Sequence, residues 1–258
     1  MIRPLLLALA LPALIAAAPD QPKAEDRHGL AELTVHDFAA KYLMQQGDLA
    51  DLKVYRDANA ALIAANDPRP RIVLLGDSIT FHWKPEDRPA PATLNVVDRG
   101  VVGQNSDQML MRFEDDVVAL KPAAVVLAGG SNDARVFVGA PADARAAILA
   151  RIARNYAAMA DIADARRIRV VIAAVTPCHD CASLNRDPVT MVAINDWLRR
   201  FAAERHYPFA DYFAALADAS GELPAALTTD GLHPTKQGYT MMWPKLSAAL
   251  DALRLKSR

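Results

Sequence analysis

Cysteine is almost absent from the chain: Cys178 and Cys181 are the only two. One Cys-x-x-Cys pair with no second pair does not make a four-thiolate zinc site. No His-Glu-x-x-His spacing offers the imidazole alternative, so no metal is expected. An excess of charge of one sign is also missing. A formal net charge of -1 gives no long-range pull on polyanions, which sets nucleic acid aside as a partner. Long hydrophobic runs are lacking too. The longest apolar stretch, residues 5–18, is short and interrupted by Pro12, so no membrane span is expected. Glycine is scarce, with 11 in the whole chain. Seven of them (76, 100, 103, 129, 130, 231 and 238) fall just after expected strands or around one Asp-His segment, where backbone must turn sharply or approach a ligand.

What is present at the start reads as an address. Arg3, the apolar run and the small residues Ala16-Ala17-Ala18 have the charged start, apolar middle and cleavable tail of a secretory signal over residues 1–18. With no cysteine nearby for lipid attachment, the mature chain is expected to be exported, periplasmic or secreted, with no stable membrane insertion. Residues 19–29 are polar and expected to be flexible, and residues 30–258 are expected to form a single domain. Cys178 and Cys181 of an exported protein are then candidates for a disulfide.

The domain opens with two expected helices. Val35, Phe38, Ala39, Tyr42 and Leu43 recur at helical spacing, and Asp48 is placed to cap a second helix carrying Leu49, Leu52, Tyr55, Leu62 and Ile63. From Arg71 onward short apolar runs at 72–75, 94–97, 123–128 and 168–175, with a weaker one at 209–210, alternate with helical patterns. One helix after Ser106 places Met109, Leu110, Phe113, Val117 and Leu120 on a face. A second opens at Pro141 and carries Ile148, Ile152 and Met159. A third opens at Asp187-Pro188 with Val189, Ala193, Trp197 and Phe201 inward, and a last one spans about 235–253 around Pro244. Alternation of this kind predicts an α/β fold built on a mainly parallel sheet with helices on both faces.

In such sheets ligands bind at the carboxyl ends of the strands. Three segments end there: Gly76-Asp77-Ser78, Gly100 to Gly103, and Gly129-Gly130-Ser131-Asn132-Asp133. A serine is a nucleophile only with a base in reach, and Asp230-Gly231-Leu232-His233 supplies an acid three residues before a histidine. One turn can set that carboxylate against the ring and leave the other ring nitrogen free. The reading is a triad in which Ser78 attacks, His233 carries the proton and Asp230 orients the ring. The Ser78 and Gly103 backbone N–H groups and the Asn132 amide are expected to form the oxyanion hole. His28, His36, His82 and His206 lack any comparable setting and are read as surface or packing residues. Arg135 is read as a solvated loop arginine, and Phe81 and Trp83 as core or rim.

Four blocks in this order, Gly76-Asp77-Ser78-Ile79-Thr80, Gly103-Gln104, Gly130-Ser131-Asn132-Asp133 and Asp230 to His233, resemble the SGNH/GDSL hydrolase family. Tyr55 to Asn59 and the helix from Gln108 to Phe113 also look like its branch similar to platelet-activating-factor acetylhydrolase catalytic subunits. The resemblance implies a flavodoxin-like, three-layer α/β/α fold with a five-stranded parallel sheet. It also implies an acyl-enzyme mechanism, no metal and no cofactor. Asn105 departs from it, standing where a small hydroxyl residue is expected. The expected rim segments are polar, with Lys84, Glu86, Asp87 and Arg88 on one and His179, Asp180, Asn185 and Arg186 on another. A polar rim suits a short acyl group, acetyl above all, on a carbohydrate or similar small-molecule alcohol. The alternatives are a lysophospholipase or thioesterase, a non-catalytic binding module, or a redox protein using Cys178 and Cys181; the last lacks the tryptophan-glycine flank of thioredoxin-type pairs.

Overall fold

The computed structural model describes residues 47–135 and 141–255. The leader at 1–18, the segment at 19–29, the first helix around Val35 to Leu43, and His28 and His36 lie outside the described residues. Five strands, β1 (Arg71–Gly76), β2 (Asn95–Gly100), β3 (Ala124–Ala128), β4 (Arg169–Ala173) and β5 (Phe209–Ala210), form one parallel sheet in the order β2-β1-β3-β4-β5. Helices α1 (Arg56–Ala65), α2 (Ser78–Phe81), α3 (Ser106–Met111), α4 (Phe113–Asp116), α5 (Ala142–Ala165), α6 (Pro188–Glu204), α7 (Tyr212–Leu216) and α8 (Lys236–Ala252) connect and cover it. This is the three-layer α/β/α arrangement expected from the sequence.

Strand residues alternate faces with the period-2 geometry of a pleated chain. Val73, Leu75, Val125, Leu127, Val170 and Ile172 join a core built with α3, α4, α5 and α6. Ile72, Leu74, Ala124, Val126, Val171 and Ala173 join a second core with Trp83, α7 and α8. Burial on both sides explains why these strands read as continuous apolar runs rather than alternating ones. Gly76 pairs with Gly100 on one side and Ala128 on the other, so the three central strands finish level. Their loops therefore open onto one edge.

Three helical expectations are corrected. Asp48 accepts hydrogen bonds from the Leu52 and Lys53 N–H groups and so caps a short 3-10 turn, Leu52–Val54, rather than the α-helix that follows. Leu49 and Ile63 stay exposed, so this region carries no continuous apolar face. The helix after Ser106 breaks at Arg112 and again at Val117, both outside helical torsion ranges, and ends as a 3-10 turn, Val118–Leu120. α6 buries Met191, Ile194, Leu198 and Phe201, while Val189 is 61% exposed. The face is rotated because two polar residues point inward: Thr190 bonds the Asp187 cap, and the Asn195 amide pairs with both the N–H and C=O of Val175.

Candidate active site

The run of β1 ends at Gly76 because nothing larger fits: a Cβ there would sit 2.5 Å from the Ala128 carbonyl oxygen and closer still to the Thr80 hydroxyl. Asp77 then caps α2 by accepting from the Ile79 N–H at 2.9 Å. Ser78 is the first residue of that helix, only 5% exposed, and its backbone N–H is used by no described residue.

Residues 228–234 form a closed turn, with Thr228 bridged to Pro234 and Gly231 at φ +83°. The Asp230 carboxylate organises it from inside. One oxygen accepts from the Leu232 and His233 N–H groups at 2.9 and 2.8 Å, as aspartate does when it builds its own turn. The other oxygen meets His233 Nδ1 at 2.5 Å, and His233 Nε2 lies 2.8 Å from Ser78 Oγ. Burial would raise the Asp230 carboxyl, but the imidazole and the two backbone donors outweigh it and hold the group well below the usual carboxylate range. The acid therefore stays ionised and fixes the ring with Nδ1 protonated and Nε2 as the acceptor facing the serine.

On the opposite side Gly103 has φ +80°, a conformation that favours glycine, and it donates its N–H to no described residue. Asn132 donates one amide hydrogen to the Gln104 carbonyl at 2.9 Å and accepts from Arg186 at 3.1 Å. These partners leave no ambiguity about which end is nitrogen, and an amide nitrogen carries a second hydrogen. Two buried arginines stand behind this side. Arg112, with no exposed surface, reaches Gln104 Oε1, the Gly76 carbonyl and Asp116. Arg186 donates through Nε to Ser131 and through Nη2 to Asn132. Burial pulls the Arg186 guanidinium down to about 10, with Arg135 adding to the effect, so it remains a cation at neutral pH. Asp133 accepts from the Ser106 N–H and hydroxyl, which ties the Asn132 turn to α3.

The structure thus brings Ser78, Asp230 and His233 into one hydrogen-bonded chain, and Gly103 and Asn132 lie on the loops that follow β2 and β3, at the edge of the sheet where β1 delivers Ser78. Asn105 takes a capping role: it accepts from the Gln108 N–H while Gln108 Oε1 accepts from the Asn105 N–H. Trp83 is buried at 2% and packed against Tyr212, Tyr239 and Trp243, whereas Phe81 is 46% exposed. Arg135 is exposed, and Cys178 and Cys181 are joined as a disulfide. Among the described residues no three His, Cys, Asp or Glu side chains gather as a metal site requires, and no helix is long and apolar enough to cross a membrane.

Two residues near the site, His82 and Arg112, were not singled out by sequence reasoning, and the polar-rim reading is corrected at Arg88 and Arg186, which are only 6% and 5% exposed. His82 stacks edge-on against His233 with ring centroids 5.1 Å apart and lines an open cleft of about 480 Å³ with Lys84, Glu86, Asp87 and Lys236. It is exposed and packs on a neighbouring ring, as a surface or packing histidine should, and the ring it meets is that of His233. The signal available was its spacing, four residues after Ser78 and so one helical turn along. Arg112 carried one local signal, Asp116 four residues on, but the burial of both arginines also depends on partners 36 and 54 residues away.

The chain matches the model of the GDSL-like lipase/acylhydrolase family over residues 74–241. Among curated proteins it has no match. Among solved structures it is similar to a GDSL-like lipase from Bacteroides thetaiotaomicron, at 30% identity over 80% of this chain and 99% of that one, with a TM-score of 0.67. A protein from Streptococcus pneumonia described as a platelet activating factor shares the fold at 20% identity, 84% and 99% coverage and a TM-score of 0.67. An acetylxylan esterase from Geobacillus stearothermophilus shares it at 18% identity, 72% and 95% coverage and a TM-score of 0.56.

Proposed function

Because the chain belongs to the GDSL-like lipase/acylhydrolase family, and is therefore an ester hydrolase, we propose that it is an exported enzyme that removes short acyl groups, acetyl above all, from hydrophilic alcohols such as carbohydrates. The observation that carries the mechanism is the chain from Asp230 through His233 to Ser78, with contacts of 2.5 and 2.8 Å. Ser78 Oγ attacks the ester carbonyl while its proton passes to His233 Nε2, and Asp230 stabilises the imidazolium. Negative charge develops on the carbonyl oxygen, which accepts from the Ser78 and Gly103 N–H groups and the Asn132 amide. Collapse of this intermediate expels the alcohol, which takes the proton from His233. Water then attacks the acyl-serine by the same route, its proton going to His233 and back to Ser78.

The substrate reading rests on the cleft beside His233. Its lining of His82, Lys84, Glu86, Asp87, Thr229 and Lys236 offers donors and acceptors to a polyol, and its apolar side chains, Pro234 and Tyr239, make a short strip rather than the cover a long chain needs. Each buried methylene contributes only about 0.8 kcal/mol, so a long acyl group needs extensive apolar cover. That an acetylxylan esterase is built on this fold makes carbohydrate acetates the first esters to try. A lysophospholipase or thioesterase is the second reading, favoured by Phe81 at the end of α2 and Val102 on the loop after β2, both exposed. Phe137, a further candidate for such a groove, lies outside the described residues. A panel of esters from acetyl to dodecanoyl, with sugar acetates alongside, separates the two. Catalytic efficiency should be highest at acetyl; a steady rise toward dodecanoyl overturns the short-chain reading. Export is supported by the leader pattern at 1–18 together with the Cys178–Cys181 disulfide. The reading takes residues 30–258 as one catalytic domain, and mass spectrometry of the protein recovered outside the cytoplasm should find residues 1–18 removed.

A further inference from the structure

Residues 176–187 run from the end of β4 to the start of α6 and touch both halves of the site. The His179 N–H donates to the Gly231 carbonyl at 2.7 Å, inside the Asp230 to His233 turn. The same loop ends with Arg186, whose backbone N–H donates to the Cys181 carbonyl at 3.0 Å. From there the guanidinium donates to the Ser131 carbonyl and hydroxyl at 3.2 and 3.0 Å, to the Leu184 carbonyl at 3.1 Å and to Asn132 Oδ1 at 3.1 Å. The Cys178–Cys181 disulfide closes the first turn of this loop, and both cysteines are buried.

From these contacts we infer that Arg186 is a positioning residue for the oxyanion hole: it locks the Asn132 amide with nitrogen toward the substrate and oxygen away. The inference rests on the assignment of Asn132 as an oxyanion donor. An unrestrained amide can rotate by 180°, and its carbonyl oxygen would then face the developing anion and repel it. Gln104 alone fixes one hydrogen of the amide; Arg186 is the described group that demands the oxygen. A guanidinium suits the task because its fork serves Ser131 and Asn132 at once, which a lysine ammonium cannot do in the same geometry. The disulfide holds the loop that carries Arg186, which gives the cysteine pair a role in the site without any redox step.

The test is a double-mutant cycle on acetyl ester hydrolysis. Arg186→Met should lower kcat by about tenfold or more with KM little changed, as a misplaced catalytic group does. Combined with Asn132→Ala, the same substitution should cost less than about threefold, because the group it positions has gone. Equal losses in both backgrounds would mean that Arg186 merely supports the fold, and would overturn the inference. Arg186→Lys keeps the buried cation and carries the same cycle should Arg186→Met fail to fold; an Arg186→Lys enzyme with unchanged kcat also overturns it. Ser78→Ala is assayed alongside. Turnover surviving in Ser78→Ala sinks the acyl-enzyme mechanism and the inference with it, whereas an inert Ser78→Ala with an additive cycle sinks the inference alone.

Discussion

Asp230 and His233 lie three residues apart and are held by the turn they themselves build, whereas Asn132 and Gln104, the neighbour of Gly103, are each held by a buried arginine from another segment. In the first case the carboxylate that orients the imidazole also accepts the two backbone N–H groups that shape the loop. In the second, Gln104 receives Arg112 on its side chain and Asn132 on its carbonyl, and Asn132 receives Arg186. The proton-transfer half is thus local and carries its own geometry. The half proposed to stabilise the anion is a junction between loops, and its geometry is only as firm as the buried cations behind it.

The largest effect should come from breaking the local half. Ser78→Ala or His233→Ala is expected to lower turnover by on the order of 10⁴-fold or more while leaving the melting temperature nearly unchanged. Because the two residues act as one unit, the double variant should be no worse than either single one. Turnover within tenfold of the parent in either single variant would remove these residues from the mechanism.

The remote half should break through stability first. Arg112 and Asp116 form a pair at 3.0 Å with at most 1% of either side chain exposed. Asp116→Ala leaves the guanidinium buried without its counter-ion, for which a loss of about 3 to 5 kcal/mol is expected in urea unfolding. A loss under about 1 kcal/mol would mean that the network is held by packing and not by the pair. Asn132→Ala comes next, with kcat lowered on the order of 10²- to 10³-fold, or about 3 to 4 kcal/mol of transition-state stabilisation. If the loss is below tenfold, Asn132 is not an oxyanion donor.

The same contrast decides what could be read in advance. The parallel sheet was legible because each central strand is buried on both faces and shows as an unbroken apolar run between turn residues. The triad was legible because Asp230-Gly231-Leu232-His233 encodes its own turn and Ser78 follows a glycine that only a tight strand end requires. α6 was misphased because Thr190 and Asn195 look like surface residues in sequence and are buried by bonds to Asp187 and Val175. Arg112 was passed over and Arg186 was assigned to a polar rim for the same reason, since charge predicts exposure until the partners are known. That His82 packs on His233 was not legible because α2 is only four residues long, too short for a periodic pattern to show.

Asp77 and Asp230 sharpen the comparison at the smallest scale, because they flank Ser78 and are shifted in opposite directions. Asp230 is held low, so what it contributes to stability is present above the ordinary carboxylate value and is lost only as pH falls through its folded pKa. Asp77 is fully buried, and burial pushes its carboxyl up to about 6 against the opposing pull of the Ile79 N–H, Arg186 and His233. A carboxyl with a higher pKa in the fold than in the unfolded chain binds its proton more tightly when folded. Its contribution is therefore complete below about pH 4 and is lost as pH rises to about 6. Asp98, also pushed by burial to about 6, adds to the same window. Asp77→Asn keeps an oxygen to cap the Ile79 N–H and removes the ionisation. The variant should lose less stability than the parent between pH 4.5 and 8, and at pH 8 should be the more stable by on the order of 1 to 3 kcal/mol. Urea unfolding at the two pH values measures both. Parallel stability curves for parent and variant would show that the Ile79 N–H, Arg186 and His233 together stabilise the Asp77 anion as strongly as burial opposes it, and the surroundings of Ser78 would then be electrostatically matched rather than strained.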